Sequence, residues 1–100
     1  MPVVAAPLPD LVLYMRPGCH LCEEAHDAIE AVLADRTTRG APVPAFIERN
    51  IEADPELHRR YLERIPVVEI GDQRIELVVT VGKLRRVLAD TVDAAQQEPA

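Results

Sequence analysis

Apolar residues first gather into a short run, Leu11 to Met15, that stops at Arg16-Pro17-Gly18. A brief apolar stretch bounded by turn formers predicts a buried strand. The period then changes. From His20 to about Asp35 the apolar positions Leu21, Ala25, Ala28, Ile29, Val32 and Leu33 recur every three or four residues, while Glu23, Glu24, Asp27 and Glu30 take the other face. That spacing predicts a helix packed along one side, and its acidic first turns suit the positive end of the helix dipole. Thr37 to Pro44, with Gly40, Pro42 and Pro44, reads as a loop, and Ala45 to Asn50 as a second strand around Phe46 and Ile47. Asp54-Pro55 opens a second helix, Asp54 as N-cap and Pro55 at the first helical position, running to about Arg64 with Leu57, Tyr61 and Leu62 inward. Pro66 to Ile70, a tight turn at Gly71-Asp72, and Arg74 to Val79 predict a hairpin. A last helix follows Val81-Gly82, with Leu84, Val87, Leu88 and Val92 on one face. Residues 1–9 are punctuated by proline and expected to be irregular, and residues 96–100 read as a fraying tail.

The predicted order is β-α-β-α-β-β-α, an α/β class. Strands joined through helices are expected to be parallel and the terminal hairpin antiparallel. This yields a mixed four-stranded sheet of order 2-1-3-4 with helices on both faces.

Composition narrows the partners. The 100 residues suit one domain, with its core from about residue 11 to 94, and 48% apolar with 28% charged residues is ordinary for a soluble globular chain. Eleven basic against 17 acidic residues leave a net charge of −6. Such a surface repels phosphate backbones and anionic headgroups, so neither nucleic acid nor membrane is an expected partner. The ten arginines form no dense run, and most fall on helix faces expected to be exposed. The N-terminus lacks a basic segment followed by a long apolar stretch, and no run approaches a membrane span. The expected compartment is therefore the cytoplasm, the expected state a monomer, and a lone cysteine pair there points to catalysis or metal binding over a structural staple.

That pair is Cys19-His20-Leu21-Cys22, directly after a predicted strand and opening a predicted helix. At a helix N-terminus the unpaired backbone N–H groups and the dipole stabilise an anion, which favours the thiolate of Cys19. Cys22, one turn along and more buried, can then resolve a mixed disulfide formed on Cys19. Two other roles stay open: half of a metal site, or two small core residues in an interaction module without activity. Zinc ordinarily takes four ligands, and His20, His26 and His58 are not grouped at ligand spacing. Redox chemistry without a bound cofactor is favoured, a disulfide-bearing protein or a small thiol serving as substrate.

Ile65-Pro66 adds a second feature, because proline in a strand is confined to its start or to an edge. Were that peptide cis, the chain would kink beside the thiols, and Ile65 would present backbone groups to an extended substrate. Arg16, three residues before Cys19, is placed to stabilise the thiolate and to attract a carboxylate-bearing substrate. His20 lies between the cysteines in sequence and as imidazolium would favour the thiolate. His26 and His58 read as exposed helix residues.

Leu13-Tyr14-Met15-Arg16-Pro17-Gly18-Cys19-His20-Leu21-Cys22-Glu23-Glu24-Ala25 resembles the active-site segment of glutaredoxin-like proteins of the thioredoxin superfamily. Arg64-Ile65-Pro66-Val67-Val68 resembles that family's Thr-Val-Pro segment with its cis-proline, and the likeness runs from about Leu11 to about Ala94. The resemblance implies the thioredoxin fold and a thiol–disulfide oxidoreductase, with Cys19 as nucleophile, Cys22 as resolver and Pro66 orienting the substrate. The reductant is implied to be a low-molecular-weight thiol or a reductase. Three positions depart from the family pattern. His20-Leu21 stands in place of Pro-Tyr, Arg64 in place of threonine, and Glu76 to Thr80 where a Gly-Gly pair and an acidic residue hold glutathione. A tripeptide backbone would meet side chains there, which weakens the expectation that glutathione is the thiol.

Overall fold

A computed structural model describes residues 8–94 of the chain. The predicted tail, and all of the proline-punctuated leader before Leu8, lie outside the described residues. β1 (Leu11–Met15) is followed by α1 (His20–Arg39), β2 (Phe46–Asn50), a 3-10 turn (Ile51–Ala53) and α2 (Pro55–Tyr61). The hairpin of β3 (Val67–Ile70) and β4 (Gln73–Glu76) precedes α3 (Val81–Leu88), which continues through a π-helical turn at Ala89–Asp93.

The four strands form one mixed sheet of order β2-β1-β3-β4. β1 runs parallel to β2, Leu11 opposite Phe46 and Met15 opposite Asn50. β3 is antiparallel to β1, with Tyr14 opposite Val67, and β4 antiparallel to β3. Alternation along the strands divides the core in two. Leu11, Leu13, Val68 and Ile70 pack with Ile29 of α1 and Leu84 and Leu88 of α3 on one face. Tyr14 and Val67 join Ile51, Tyr61 and Cys22 on the other, where α2 lies. Helices therefore cover both faces, as the thioredoxin fold requires.

One expectation is corrected by β3. Although α2 joins β2 to β3, the two strands do not run in the same direction, because β3 is antiparallel to β1 and β1 is parallel to β2. A seven-residue helix spans only about 10 Å, whereas returning along a five-residue strand needs about 16 Å. α2 is too short to carry the chain back, so β3 starts at the end where β1 finishes. This brings Ile65-Pro66 to the same end of the sheet as Cys19.

β4 also stops earlier than its apolar pattern predicts. Leu77 adopts φ 67°, a left-handed conformation that ends the ladder. Its N–H turns to the carbonyl of Pro66 at 2.9 Å, and Leu77 and Val78 stand out from the surface, 47% and 55% exposed. α2 ends three residues sooner than expected, and Leu62 is exposed rather than inward. Leu21 is likewise exposed, its place on the inner face of α1 taken by Cys22.

α1 runs four residues beyond its apolar periodicity. The Thr37 and Thr38 hydroxyls donate back to the Leu33 and Ala34 carbonyls at 3.0 and 3.1 Å. Gly40 then stops the helix at φ 72°, its N–H returning to the last-turn carbonyls. Arg36, on the last turn, is buried: its Nε donates to the Pro42 carbonyl at 2.7 Å and its guanidinium pairs with Asp93 beyond α3.

Candidate active site

The dithiol is built by the turn from β1 into α1. After Met15 the chain reverses through Arg16-Pro17-Gly18, and Gly18 sits at φ 76°. A Cβ there would meet no neighbouring atom, so it is the left-handed backbone, not space, that favours glycine. Cys19 follows as the N-cap of α1 in extended conformation, its Sγ accepting the Cys22 N–H at 3.2 Å. A sulfur thus occupies the place where serine or aspartate usually satisfies a helix N-terminus. Cys19 and Cys22 are joined in a disulfide with their Cα atoms 5.2 Å apart.

The two sulfurs meet different surroundings. Cys22 is 2% exposed, packed with Ile51, Tyr61, Ile65 and Val67. Cys19 is half-buried, at the margin of that cluster. On reduction the outer sulfur holds the helix N-terminus and an approach from solvent, while the inner one has neither. Nucleophilic attack by Cys19 and resolution by Cys22 is the order this arrangement can support.

Ile65 and Pro66 are both buried, and the peptide between them is cis. The Ile65 N–H donates to the Tyr61 carbonyl at 3.0 Å. Among the described residues the Ile65 carbonyl accepts no backbone hydrogen bond, so it is the carbonyl that remains for an extended segment. The N-terminus of α3, beyond the Leu77-Val78 loop, carries its own cap: Thr80 Oγ1 accepts the Lys83 N–H at 3.1 Å, and Lys83 Nζ donates to the Val78 carbonyl at 2.9 Å.

Arg16 is exposed in the turn before Cys19 and makes no ion pair with a described residue. The ring of His20 lies on the outer face of α1, Nε2 3.2 Å from Glu24 and Nδ1 4.0 Å from Glu23. Any charge that it carries is shared with those carboxylates. On the α2 face, Tyr14 and Tyr61 stack with ring centroids 4.5 Å apart, and the Tyr61 hydroxyl donates to Glu69 at 2.9 Å. Burial, with the Glu69 carboxylate second, pushes the Tyr14 hydroxyl above its ordinary pKa.

His26, expected as an exposed helix residue, is partly buried. Its side chain is 37% exposed, with Nε2 3.0 Å from Glu48 on β2 and 3.3 Å from Glu30, and Nδ1 3.5 Å from Asp27. It borders a cavity of about 410 Å³ that Met15, Arg16, Cys22, Glu23 and Glu48 also line. Its four-residue spacing from both Cys22 and Glu30 was the signal in the sequence; the contribution of Glu48 depends on the pairing of β2 with β1. Among the described residues, no three histidine, cysteine or acidic side chains gather into a metal-binding group. No helix among them is long and apolar enough to cross a membrane.

Residues 10–93 match the model of the glutaredoxin-like domain. No curated protein matches the chain in sequence. Among solved structures, a structural-genomics target from X. campestris is 28% identical, with a TM-score of 0.64 over 81% of this chain and 97% of its own. A protein from Nitrosomonas europaea is 26% identical, with a TM-score of 0.56 over 97% of this chain and 100% of its own. A glutaredoxin from Brucella melitensis, also 26% identical, covers 92% of each chain with a TM-score of 0.50.

Proposed function

The chain belongs to the glutaredoxin-like domain family, and from that premise we propose that it is a dithiol thiol–disulfide oxidoreductase acting on disulfides of proteins or small thiols. What carries the proposal is the half-exposed Cys19 sulfur at the N-cap of α1, bonded to a Cys22 that is 2% exposed. In the reduced protein the Cys19 thiolate attacks one sulfur of a substrate disulfide and the other leaves as a thiolate. Cys22 then attacks Cys19, releases the second substrate sulfur, and closes the Cys19–Cys22 disulfide. The substrate disulfide is reduced and the protein dithiol oxidised, to be restored by a thiol or reductase. Arg16 attracts an anionic group near the entering disulfide, and the Ile65 carbonyl beside Pro66 receives an N–H of an extended substrate.

The exposed apolar side chains of Leu21, Leu77 and Val78 favour polypeptide substrates over a glutathione-type tripeptide. Turnover of a protein disulfide and of hydroxyethyl disulfide, with several thiols as reductant, tests the proposal. Wild type turns over, Cys19→Ser falls to background, and Cys22→Ser accumulates a mixed disulfide with the protein substrate. Wild-type turnover no faster than that of Cys19→Ser removes the enzyme and leaves an interaction module.

A further inference from the structure

The dithiol lies on a border between two kinds of surface. On one side, α1 presents Glu23, Glu24, Asp27 and Glu30 to solvent. On the other, around Pro66, the turn after α2 and the exit from β4 carry exposed apolar and cationic side chains. Leu62, Leu77 and Val78 are 38%, 47% and 55% exposed. Arg60 and Arg64 line one hollow with Leu62 and Glu63, and the exposed Lys83 stands beside Val78. A chain of net charge −6 thus gathers cations at one margin of its reactive sulfur.

We infer that this margin docks the substrate protein through a segment in which apolar residues and carboxylates flank the reactive cysteine, an assignment that rests on the oxidoreductase reading above. Three observations carry it. The first is continuity: the Leu77 N–H donates to the Pro66 carbonyl at 2.9 Å and to the Arg64 carbonyl at 3.3 Å, which joins the turn after α2, the proline and the rim into one edge. The second is the use of the rim's backbone. The Val78 N–H donates to the Glu76 carbonyl at 2.7 Å, closing a γ-turn around Leu77 at φ 67°, and the Val78 carbonyl accepts Lys83 Nζ at 2.9 Å. With those groups taken, the rim meets a partner chiefly through its side chains, and these are apolar. The third is charge. Glu76 is already shared by Arg64 at 3.6 Å and Arg74 at 3.7 Å, whereas Arg60 and Lys83 pair with no carboxylate among the described residues. Lys83 keeps two of its three N–H donors for a carboxylate. Charges at such a rim steer a partner and fix its orientation more than they add affinity. The acidic face of α1 turns the same segment away, so its carboxylates decide from which side it reaches Cys19.

Peptide disulfides test this on the full-length reduced protein. The probes are the homodimeric disulfides of acetyl-Glu-Leu-Cys-Leu-Glu-amide, its lysine counterpart acetyl-Lys-Leu-Cys-Leu-Lys-amide, and its serine counterpart acetyl-Glu-Ser-Cys-Ser-Glu-amide. Each dimer is reduced to two peptide thiols as the protein dithiol closes to the Cys19–Cys22 disulfide, so the rate of dithiol loss reads the exchange.

At low salt the glutamate peptide is expected to react about fivefold faster than the lysine peptide, the size of one or two exposed ion pairs. The net charge of −6 acting alone gives the opposite order. The preference shrinks as salt is raised and reverses in the double variant Arg60→Glu, Lys83→Glu. Leu77→Gly suits the left-handed backbone and removes the side chain, so it narrows the advantage of the leucine peptide over the serine peptide about threefold. That loss falls on KM, as expected of a contact made equally in the bound and reacting states. A lysine peptide that reacts as fast as the glutamate peptide in wild type, or a leucine-to-serine ratio untouched by Leu77→Gly, overturns the docking face and leaves the oxidoreductase intact. Reduced protein that reacts with neither the peptides nor hydroxyethyl disulfide overturns the oxidoreductase reading, and the docking face with it.

Discussion

The residue before α1 caps it with a sulfur; about 30 Å further along, its last turn is closed by a glycine and a buried ion pair. At the far end the helix is held by fixed partners. The Arg36 Nε is held by the Pro42 carbonyl, its guanidinium by Asp93, and the last carbonyls by the Gly40 N–H. At the near end the cap is Cys19, whose bond to Cys22 is made and broken in the chemistry. One helix thus serves as a beam with a fixed end and a working end. The contacts that hold it are placed where they cannot interfere with exchange at the sulfur. Stability and reactivity should therefore respond to different substitutions.

Arg36→Ala offers the strongest way to break this contrast. Removing one partner of a buried pair strands the other charge and costs about 3 kcal/mol, toward the lower end of the usual range because a third of the Asp93 side chain is exposed. In a domain this size that lowers the melting temperature by roughly 12–24 °C. Well below the transition, Cys19 should still react with a small disulfide at the wild-type rate. A thermal melt and an exchange assay on one preparation check both halves.

The paired glycines sharpen the comparison. Gly18 and Gly40 flank α1 at φ 76° and 72°, and a Cβ at either meets no neighbour within 4 Å. Alanine at each should cost about 1 kcal/mol through backbone strain alone. Denaturant melts should show similar losses, but Gly18→Ala should also slow exchange at Cys19 because it moves the cap, and Gly40→Ala should not.

The smallest effect is a pH dependence beneath the working end. Burial raises the pKa of Tyr14 in the folded protein above its unfolded value, so the native state keeps the proton that the unfolded chain gives up. Stability from this source is fully present below about pH 10 and declines above it. Tyr14→Phe should flatten the alkaline limb of a stability–pH curve and leave the neutral region unchanged in slope.

The working end was the more legible in the sequence. Cysteines placed between a predicted strand and a predicted helix define the redox pair on local grounds, and sheet order follows from the sequence of elements. The fixed end was not legible. Arg36 falls just past the apolar periodicity of the helix, and nothing local shows that it will be buried against a carboxylate 57 residues away. The same holds for His26, whose neighbour Glu48 is supplied by strand pairing. The run Leu77-Val78-Val79 misleads in the opposite sense. It has the composition of a strand, but a left-handed Leu77 ends the ladder and leaves Leu77 and Val78 exposed beside Pro66, while Val79 turns back to the core. Local pattern reports burial and period, whereas these residues answer to partners far along the chain.

Alkylation of the reduced protein by iodoacetamide, followed against pH and mapped by mass spectrometry, tests the central claim most directly. The account predicts that Cys19 alone is modified in the native state and that its rate inflects below the free-thiol value near 8.5. Equal labelling of Cys19 and Cys22, or an inflection at the free-thiol value, would contradict it.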